Sequence, residues 1–297
     1  MKILISGASG LIGKATADYL SQKGHQILSL RRNTTSPPYW DLEKRIIDLG
    51  DNQDIDVVIN LAGENIAEGR WNQQKKDRIL KSRVEGTELI AAYFSKAEYR
   101  PKVIISGSAI GIYGNRGAEE LTEESARGSG FLPEVCYQWE RSISSASSSG
   151  IRVVCVRFGM VLSAKGGALE KMILPFKIGL GGIIGNGDQY ISWISINDVA
   201  GAISHIINNE NLDGPINLVS PIPVTNFDFT KVLGKTLHRP TVFSIPAFFA
   251  RLLFGEMAEE LLLASTKVIP KKLLKSGYSF QEPTLDRAFD KLLSSLN

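Results

Sequence analysis

Residues 2–13 read K-I-L-I-S-G-A-S-G-L-I-G. Ile3, Leu4 and Ile5 form an apolar run long enough for a buried strand, and the chain then turns through Gly7, Gly10 and Gly13. After Gly13 the rhythm changes to that of an amphipathic helix, with Ala15, Ala17 and Leu20 on one side. Strand, glycine turn and helix in this order make a site for a pyrophosphate. Glycines let the backbone approach the phosphates, and the helix N-terminus offers free N–H groups and the positive end of its dipole. The spacing is G-x-x-G-x-x-G, and a tight strand-to-helix turn with no ligand is the alternative that the motif alone leaves open.

At 297 residues the chain can bury one large core or two modest ones. A hydrophobic share of 43% and a charged share of 22% are those of an ordinary globular protein. A net charge of +3, spread along the chain, gives no footprint for nucleic acid. Cys136 and Cys155 make no disulfide framework, and with His25, His205 and His238 scattered there is no metal signature. The sequence opens directly on a strand and holds no apolar run of membrane-spanning length, so no membrane role and a cytoplasmic location are expected.

Further strands are expected at Gln26–Leu30, 45–49, 56–61, 102–107, 151–158 and 216–219, with helices at 75–96 and 133–149 between them. This alternation predicts a parallel sheet covered by helices on both faces. The segment 33–44, with Pro37, Pro38 and Trp40, reads as a loop. Arg31 and Arg32 close the second strand. An acidic residue there would hold the ribose 2′-hydroxyl of NAD, whereas paired arginines suit the extra phosphate of NADP; solvated loop charges are the plainer alternative.

The run G-A-S-G-L-I-G after the first strand resembles the extended short-chain dehydrogenase/reductase superfamily, which includes sugar-nucleotide epimerases and dehydratases. N-L-A-G-E-N-I (60–66) resembles that family's strand-end segment beside the cofactor, and S-R-V-E-G-T (82–87) its N-V-x-G-T segment, with Arg83 in place of asparagine. S-G-S-A-I-G-I-Y-G (106–114) resembles the segment that carries the catalytic serine. The combination of L-A-G-E-N-I, C-x-x-W-E (136–140), L-P-F-x-x-G-L-G-G (174–182) and K-V-I-P-K (267–271) resembles an atypical, epimerase-like NAD(P)-dependent branch with its own short C-terminal helical domain. The resemblance implies a Rossmann-like doubly wound parallel sheet and a nicotinamide dinucleotide, with NADP(H) preferred over NAD(H) because of the arginines. It assigns to the cofactor Gly7, Ser9, Gly10, Leu11, Ile12, Gly13, Arg31, Arg32, Asn60, Leu61, Ala62, Gly63, Arg83 and Ser106. For Arg83, a phosphate contact and a surface charge stand as equal alternatives. Residues 1–165 plus 194–220 are the expected cofactor domain, and 166–193 plus 221–297 a smaller, mostly helical substrate lobe, with Trp193 near its mouth and residues 253–270 as a packing helix.

Members that oxidise a hydroxyl use Y-x-x-x-K on the helix after the fifth strand, where the lysine lowers the tyrosine pKa. Here that helix reads E-V-C-Y-Q-W-E-R (134–141) and contains no such pair. Either Cys136 and Glu140 or Tyr137 and Arg141 take the two places, since both spacings put two side chains on one helical face. Ser108 is the candidate to orient a substrate oxygen, and Tyr113 the nearest tyrosine that could serve as the missing acid; packing over its loop is Tyr113's alternative role. Two functions remain: an oxidoreductase or epimerase acting on a nucleotide-sugar-like small molecule, or a catalytically silent NADPH-binding regulator read by a protein partner.

Overall fold

A computed structural model describes residues 1–32 and 34–294. Its centre is a sheet of six parallel strands: β1 (Lys2–Ser6), β2 (Gln26–Leu30), β3 (Val57–Asn60), β4 (Val103–Ala109), β5 (Arg152–Phe158) and β6 (Gly214–Leu218). Their spatial order is β6-β5-β4-β3-β1-β2, every neighbouring pair parallel. Helices α1 (Leu11–Gln22), α2 (Gln73–Ser95), α3 (Phe131–Arg141) and α4 (Ser144–Ser148) connect the first five strands. Between β5 and β6 lie α5 (Gly167–Lys177) and α6 (Ile196–Asn208).

The period-two alternation of a strand sorts the core into two layers. Ile3, Ile5, Val57, Ile59, Val103 and Ile105 face α1 and α6, meeting Leu20, Val199, Ile203 and Ile206. Leu4, Val58 and Ile104 face the other way, onto Leu89, Ile90 and Phe94 of α2 and Ala146 of α4. Connections leave β1 toward β2 on one side and reach β3 on the other, so the chain reverses its winding between β1 and β3. A crevice at the carboxyl ends of the strands is the consequence.

Beyond the sheet, α7 (Asn226–Thr236), α8 (Ala247–Phe254), α9 (Lys271–Lys275) and α10 (Leu285–Leu293) make the C-terminal region mainly helical. A separate core joins α5, α7 and α10 through Leu169, Phe176, Phe229, Leu233, Phe289 and Leu293. Its tie to the sheet is Asp198 of α6, fully buried, whose carboxylate accepts from the Tyr278 hydroxyl (3.0 Å) and from the backbone N–H of Gln281 (2.8 Å) and Glu282 (2.9 Å).

Four local expectations are corrected. The third strand, expected at 45–49, does not join the sheet: Ile46–Asp48 pairs antiparallel with Tyr39–Asp41, inside the segment expected to be loop. This hairpin is fixed by Trp40, buried against Gly86 of α2, a contact that three-residue strands cannot signal by period. The helix expected over 133–149 breaks after Arg141, where the Ser142 hydroxyl donates to the Trp139 carbonyl (2.6 Å) and competes with the helical ladder. No single helix spans 253–270. Gly255 closes α8 at φ 60°, and Lys267–Val268 pairs as a strand with Glu120–Leu121. Trp193 is wholly buried in the second core, its indole N–H donating to the Ile222 carbonyl (3.1 Å), and so lines no mouth.

Candidate functional site

The glycine turn is built by backbone contact. Gly7 sits at φ 71°, where a side chain is strained, and a Cβ on it would lie 2.8 Å from the Leu61 carbonyl carbon. A Cβ on Gly13 would lie 2.1 Å from the Gly7 oxygen, so only glycine lets α1 start this close to β1. The Gly10 N–H donates to the Gly7 oxygen (3.0 Å) and closes the turn. Ser9 and Gly10 are exposed, Leu11 and Ile12 half-buried. α1 begins at Gly10 with no side-chain cap and no acidic residue in its first turn. Its first N–H groups and dipole therefore face the crevice uncompensated, which suits a pyrophosphate.

Arg31 and Arg32 are exposed just past β2, Arg31 donating through Nη2 to the Ser36 carbonyl (3.0 Å). On the other side of β1, β3 ends in Asn60, Leu61, Ala62 and Gly63. Asn60 is fully buried and links the elements of the floor: Ser6 Oγ donates to its Oδ1 (2.6 Å) and its Nδ2 donates to Thr87 Oγ1 (2.8 Å). Thr87 Oγ1 also accepts from the Trp139 indole N–H (3.0 Å). Ser106 is likewise buried, within β4. Asn60 and Ser106 thus shape the floor from behind, while Gly63 is exposed at its surface.

Arg83 comes to this floor from α2. Its guanidinium lies 5.1 Å from the Trp139 ring and donates to the carbonyls of Ile79 (3.0 Å) and Glu64 (3.1 Å). Burial lowers its pKa, opposed by Cys136 and Glu64.

α3 turns Cys136 and Glu140, not Tyr137 and Arg141, toward the sheet. The Ser108 hydroxyl donates to Glu140 Oε1 at 2.7 Å. Arg157, from β5, forks onto the same carboxylate through Nε (2.7 Å) and Nη2 (2.8 Å), with side chains 8% and 15% exposed for the two partners. Burial opposes the Arg157 charge, but the hydrogen bonds and charges of Glu140 and Tyr113 outweigh it and raise its pKa. Arg157 was missed in the sequence. The signal was an arginine inside the otherwise apolar V-V-C-V-R-F strand, which demands a buried partner. Tyr137 and Arg141 meet each other on the outer side, where Arg141 Nη1 donates to the Tyr137 hydroxyl (3.0 Å) and Arg127 lies over its ring at 4.1 Å.

Cys136 is buried, and its thiol is pushed up to about 12, first by burial and then by Glu140. It is a neutral thiol, not a nucleophile. Tyr113 is wholly buried: its hydroxyl accepts from Arg157 Nη1 (2.8 Å) and donates to Asn217 Oδ1 (2.7 Å). Burial raises its pKa, with Arg157 opposing. The structure therefore joins Ser108 and Tyr113 through Glu140 and Arg157, with Tyr113 at the buried end of the chain of contacts.

The strand order, the crevice and the glycine turn define a dinucleotide-binding, Rossmann-type protein. Residues 3–218 match the model of the NAD dependent epimerase/dehydratase family, and the chain belongs to that family. Residues 245–292 match a domain of unknown function. The chain is 38% identical over 289 residues to the epimerase family protein Mb2239 of Mycobacterium bovis, covering 96% of this chain and 95% of that one. The crystal structure of the human epimerase family protein SDR39U1 with NADPH superposes with a TM-score of 0.92 at 32% identity, covering 99% of each chain. A nucleoside-diphosphate sugar epimerase from Corynebacterium glutamicum gives a TM-score of 0.81 at 33% identity, over 99% of this chain and 58% of that one. Among the described residues no helix is long and apolar enough to cross a membrane.

Proposed function

We propose that the protein binds NADP(H) in preference to NAD(H) and acts as an oxidoreductase or epimerase on a nucleotide-sugar-like small molecule, without a tyrosine acid. The observation that carries the cofactor half is the uncapped, acid-free start of α1 beside two exposed arginines at the end of β2. Gly7, Ser9, Gly10, Leu11, Ile12 and Gly13 hold the pyrophosphate, and Arg31 and Arg32 take the 2′-phosphate. Leu61, Ala62 and Gly63 offer backbone against the dinucleotide, over a floor set by Asn60 and Ser106. The NADPH of the human relative supports this choice. When bound, the nicotinamide supplies the hydride donor or acceptor. The chain's own part falls to Ser108: its proton is committed to Glu140, so its lone pairs are left to accept from a substrate hydroxyl and orient it. Residues 1–165 plus 194–220 serve as the cofactor domain, and 166–193 plus 221–297 as the substrate lobe.

Fluorescence titration with NADPH and NADH tests the cofactor reading. A charge-assisted bond to phosphate is worth about 1.5–3 kcal/mol, so Arg31→Ala/Arg32→Ala should weaken NADPH roughly 10- to 100-fold and leave NADH unchanged. Equal affinities in the wild type would refute it. A second reading, an NADPH-binding regulator without turnover, is favoured by α3 presenting Cys136 and Glu140 where the family has tyrosine and lysine. Tight NADPH binding with no turnover across a panel of nucleotide sugars would select it.

A further inference from the structure

We propose that the exposed apolar face of α8 is the contact surface of a two-fold symmetric dimer, covered by the same face of a second copy of the chain.

Seven of the eight residues of α8, A-F-F-A-R-L-L-F, are apolar, yet only Ala250 is buried. A helix that is hydrophobic all round is normally buried all round. Phe248 with Leu252 and Phe249 with Leu253 are i, i+4 pairs, so the four side chains form one stripe turned away from Ala250. Each is more than half exposed, from 53% for Phe249 to 66% for Phe248. The apolar surface continues into the preceding segment, where Val242 is 78% and Phe243 52% exposed. Parallel pairing of Gly182 with Phe243, and a bond from Arg239 Nε to the Lys177 carbonyl (2.7 Å), bring the turn with exposed Ile178 and Leu180 alongside that segment.

The area matches one side of a dimer. At about 150–250 Å² for a whole aromatic side chain and somewhat less for an aliphatic one, the exposed parts of these residues amount to roughly 900 Å². The largest apolar patch on a typical monomer is about 300–600 Å², whereas each partner of a stable interface contributes about 800 Å².

Charge selects the occupant. From 242 to 254 the one charged side chain is Arg251, and it is ion-paired within the chain to Glu259. Such a face offers nothing to a strongly acidic or basic partner and no row of cations to an anionic lipid surface. Against its own copy it brings no unpaired like charges together, and a two-fold contact covers both apolar faces at once.

The face is also held in place before any partner arrives. Arg70, in the connection between β3 and α2, donates to the carbonyls of Leu252 and Leu253, the latter at 3.3 Å. Glu256, just after α8, accepts from Lys76 of α2 (2.8 and 3.1 Å). Phe248 and Phe249 brace each other edge to face at 5.8 Å. Little ordering is therefore left to offset the gain from burial.

The test is sedimentation equilibrium of the full chain, without detergent, from about 0.1 to 100 µM. The expected result is a reversible monomer–dimer equilibrium with half-association in the micromolar range or below. Phe249→Glu/Leu252→Glu should raise the dissociation constant at least about 100-fold, since two-fold symmetry counts each substitution twice. Phe249→Ala/Leu252→Ala should weaken the dimer less, and it decides the matter if the charged variant loses the wild-type melting curve. Tyr99→Glu, at an exposed position ahead of β4 and at the opposite end of the strands from the crevice, should change nothing. A chain that stays monomeric throughout overturns the proposal, as does a dimer that both α8 variants leave intact. Growth beyond the dimer overturns it too, because a two-fold contact closes at two copies. Co-sedimentation with neutral phosphatidylcholine vesicles covers the remaining occupant: a monomer carried down by them, and released by Phe249→Glu/Leu252→Glu, would assign the face to a lipid surface instead.

Discussion

Ser108 and Glu140 meet where β4 and α3 converge, the serine hydroxyl donating to a carboxylate that Arg157 already grips with two nitrogens. Glu140 is therefore both the oxygen that orients Ser108 and the counter-charge of a guanidinium inside the sheet. Truncating it does two things at once. In Glu140→Ala, Arg157 keeps its charge in a buried place, and breaking such a pair costs about 3–5 kcal/mol. Replacing both partners by Met removes the stranded charge, so the double variant should lose much less than Glu140→Ala. Urea unfolding of the wild type, Glu140→Ala, Glu140→Met, Arg157→Met and the double Met variant checks this. Additive losses from Glu140→Met and Arg157→Met would show that the two groups do not depend on each other.

The glycine turn gives a prediction about a single atom. Gly13→Ala places a Cβ 2.1 Å from the Gly7 oxygen, and backbone on both sides leaves no flexible side chain to yield. Gly10→Ala meets the same oxygen at 3.3 Å, a contact that a small shift relieves. Gly13→Ala should therefore lower stability by about 1–3 kcal/mol, in the range of overpacked sites, and weaken NADPH. Gly10→Ala should cost clearly less. Melting curves and cofactor titration of the two variants side by side would expose a wrong ranking.

This turn is legible in the sequence because its strand, its three glycines and the start of its helix lie within one short stretch, although the Leu61 backbone that crowds Gly7 does not. Five of the six strands are legible as largely apolar runs bounded by breakers, whereas β6, G-P-I-N-L, starts two residues before the expected 216, and the strand expected at 45–49 lies outside the sheet. The hairpin at Tyr39–Asp41 and Ile46–Asp48 depends on Trp40 reaching Gly86, a contact with no local trace. The face of α3 was undecidable for the same reason. Cys136 with Glu140 and Tyr137 with Arg141 have identical spacing, and the partners that decide, Ser108 and Arg157, sit 32 and 17 residues from Glu140. Trp193 shows the converse error: a large aromatic beside a glycine-rich stretch suggests a ligand, while here it fills the core under α5 and α7.

Both thiols are predicted to be silent in the folded protein. Cys136 and Cys155 are buried and pushed up to about 12, chiefly by burial. An aromatic disulfide reagent at pH 8 should find no fast thiol in the native protein and two after denaturation. The same shifts set a pH dependence. The folded state keeps the neutral thiol, so this contribution is complete below the ordinary cysteine pKa of about 8.5. It is lost as pH rises from there toward about 12, because the unfolded chain releases its protons first. Cys136→Ser/Cys155→Ser should flatten that alkaline decline; an unchanged slope would assign it to other groups.

The last prediction concerns Tyr113, for which the sequence left an acid and a packing role open. Its hydroxyl is engaged on both sides, accepting from Arg157 and donating to Asn217. Asn217 is itself held, its Nδ2 donating to the Ile269 carbonyl (3.1 Å) and its backbone N–H to Glu123 Oε1 (3.1 Å). A proton leaving Tyr113 would have to break this arrangement, and burial raises the pKa at which it leaves. Tyr113→Phe removes one donor and one acceptor from a dry site, stranding Asn217 Oδ1 and one Arg157 N–H. An unsatisfied buried group costs about 1–3 kcal/mol, so the variant should unfold at clearly lower urea. A positioned acid contributes about 10²–10⁴-fold to a rate, so loss of an acid would appear as a fall of that size in turnover per folded molecule. The geometry predicts the first outcome: destabilisation, with any turnover loss matched by the loss of folded protein. A full-stability Tyr113→Phe with turnover down a hundredfold or more would place the tyrosine back in the chemistry and require the Arg157–Asn217 contacts to open in the working state.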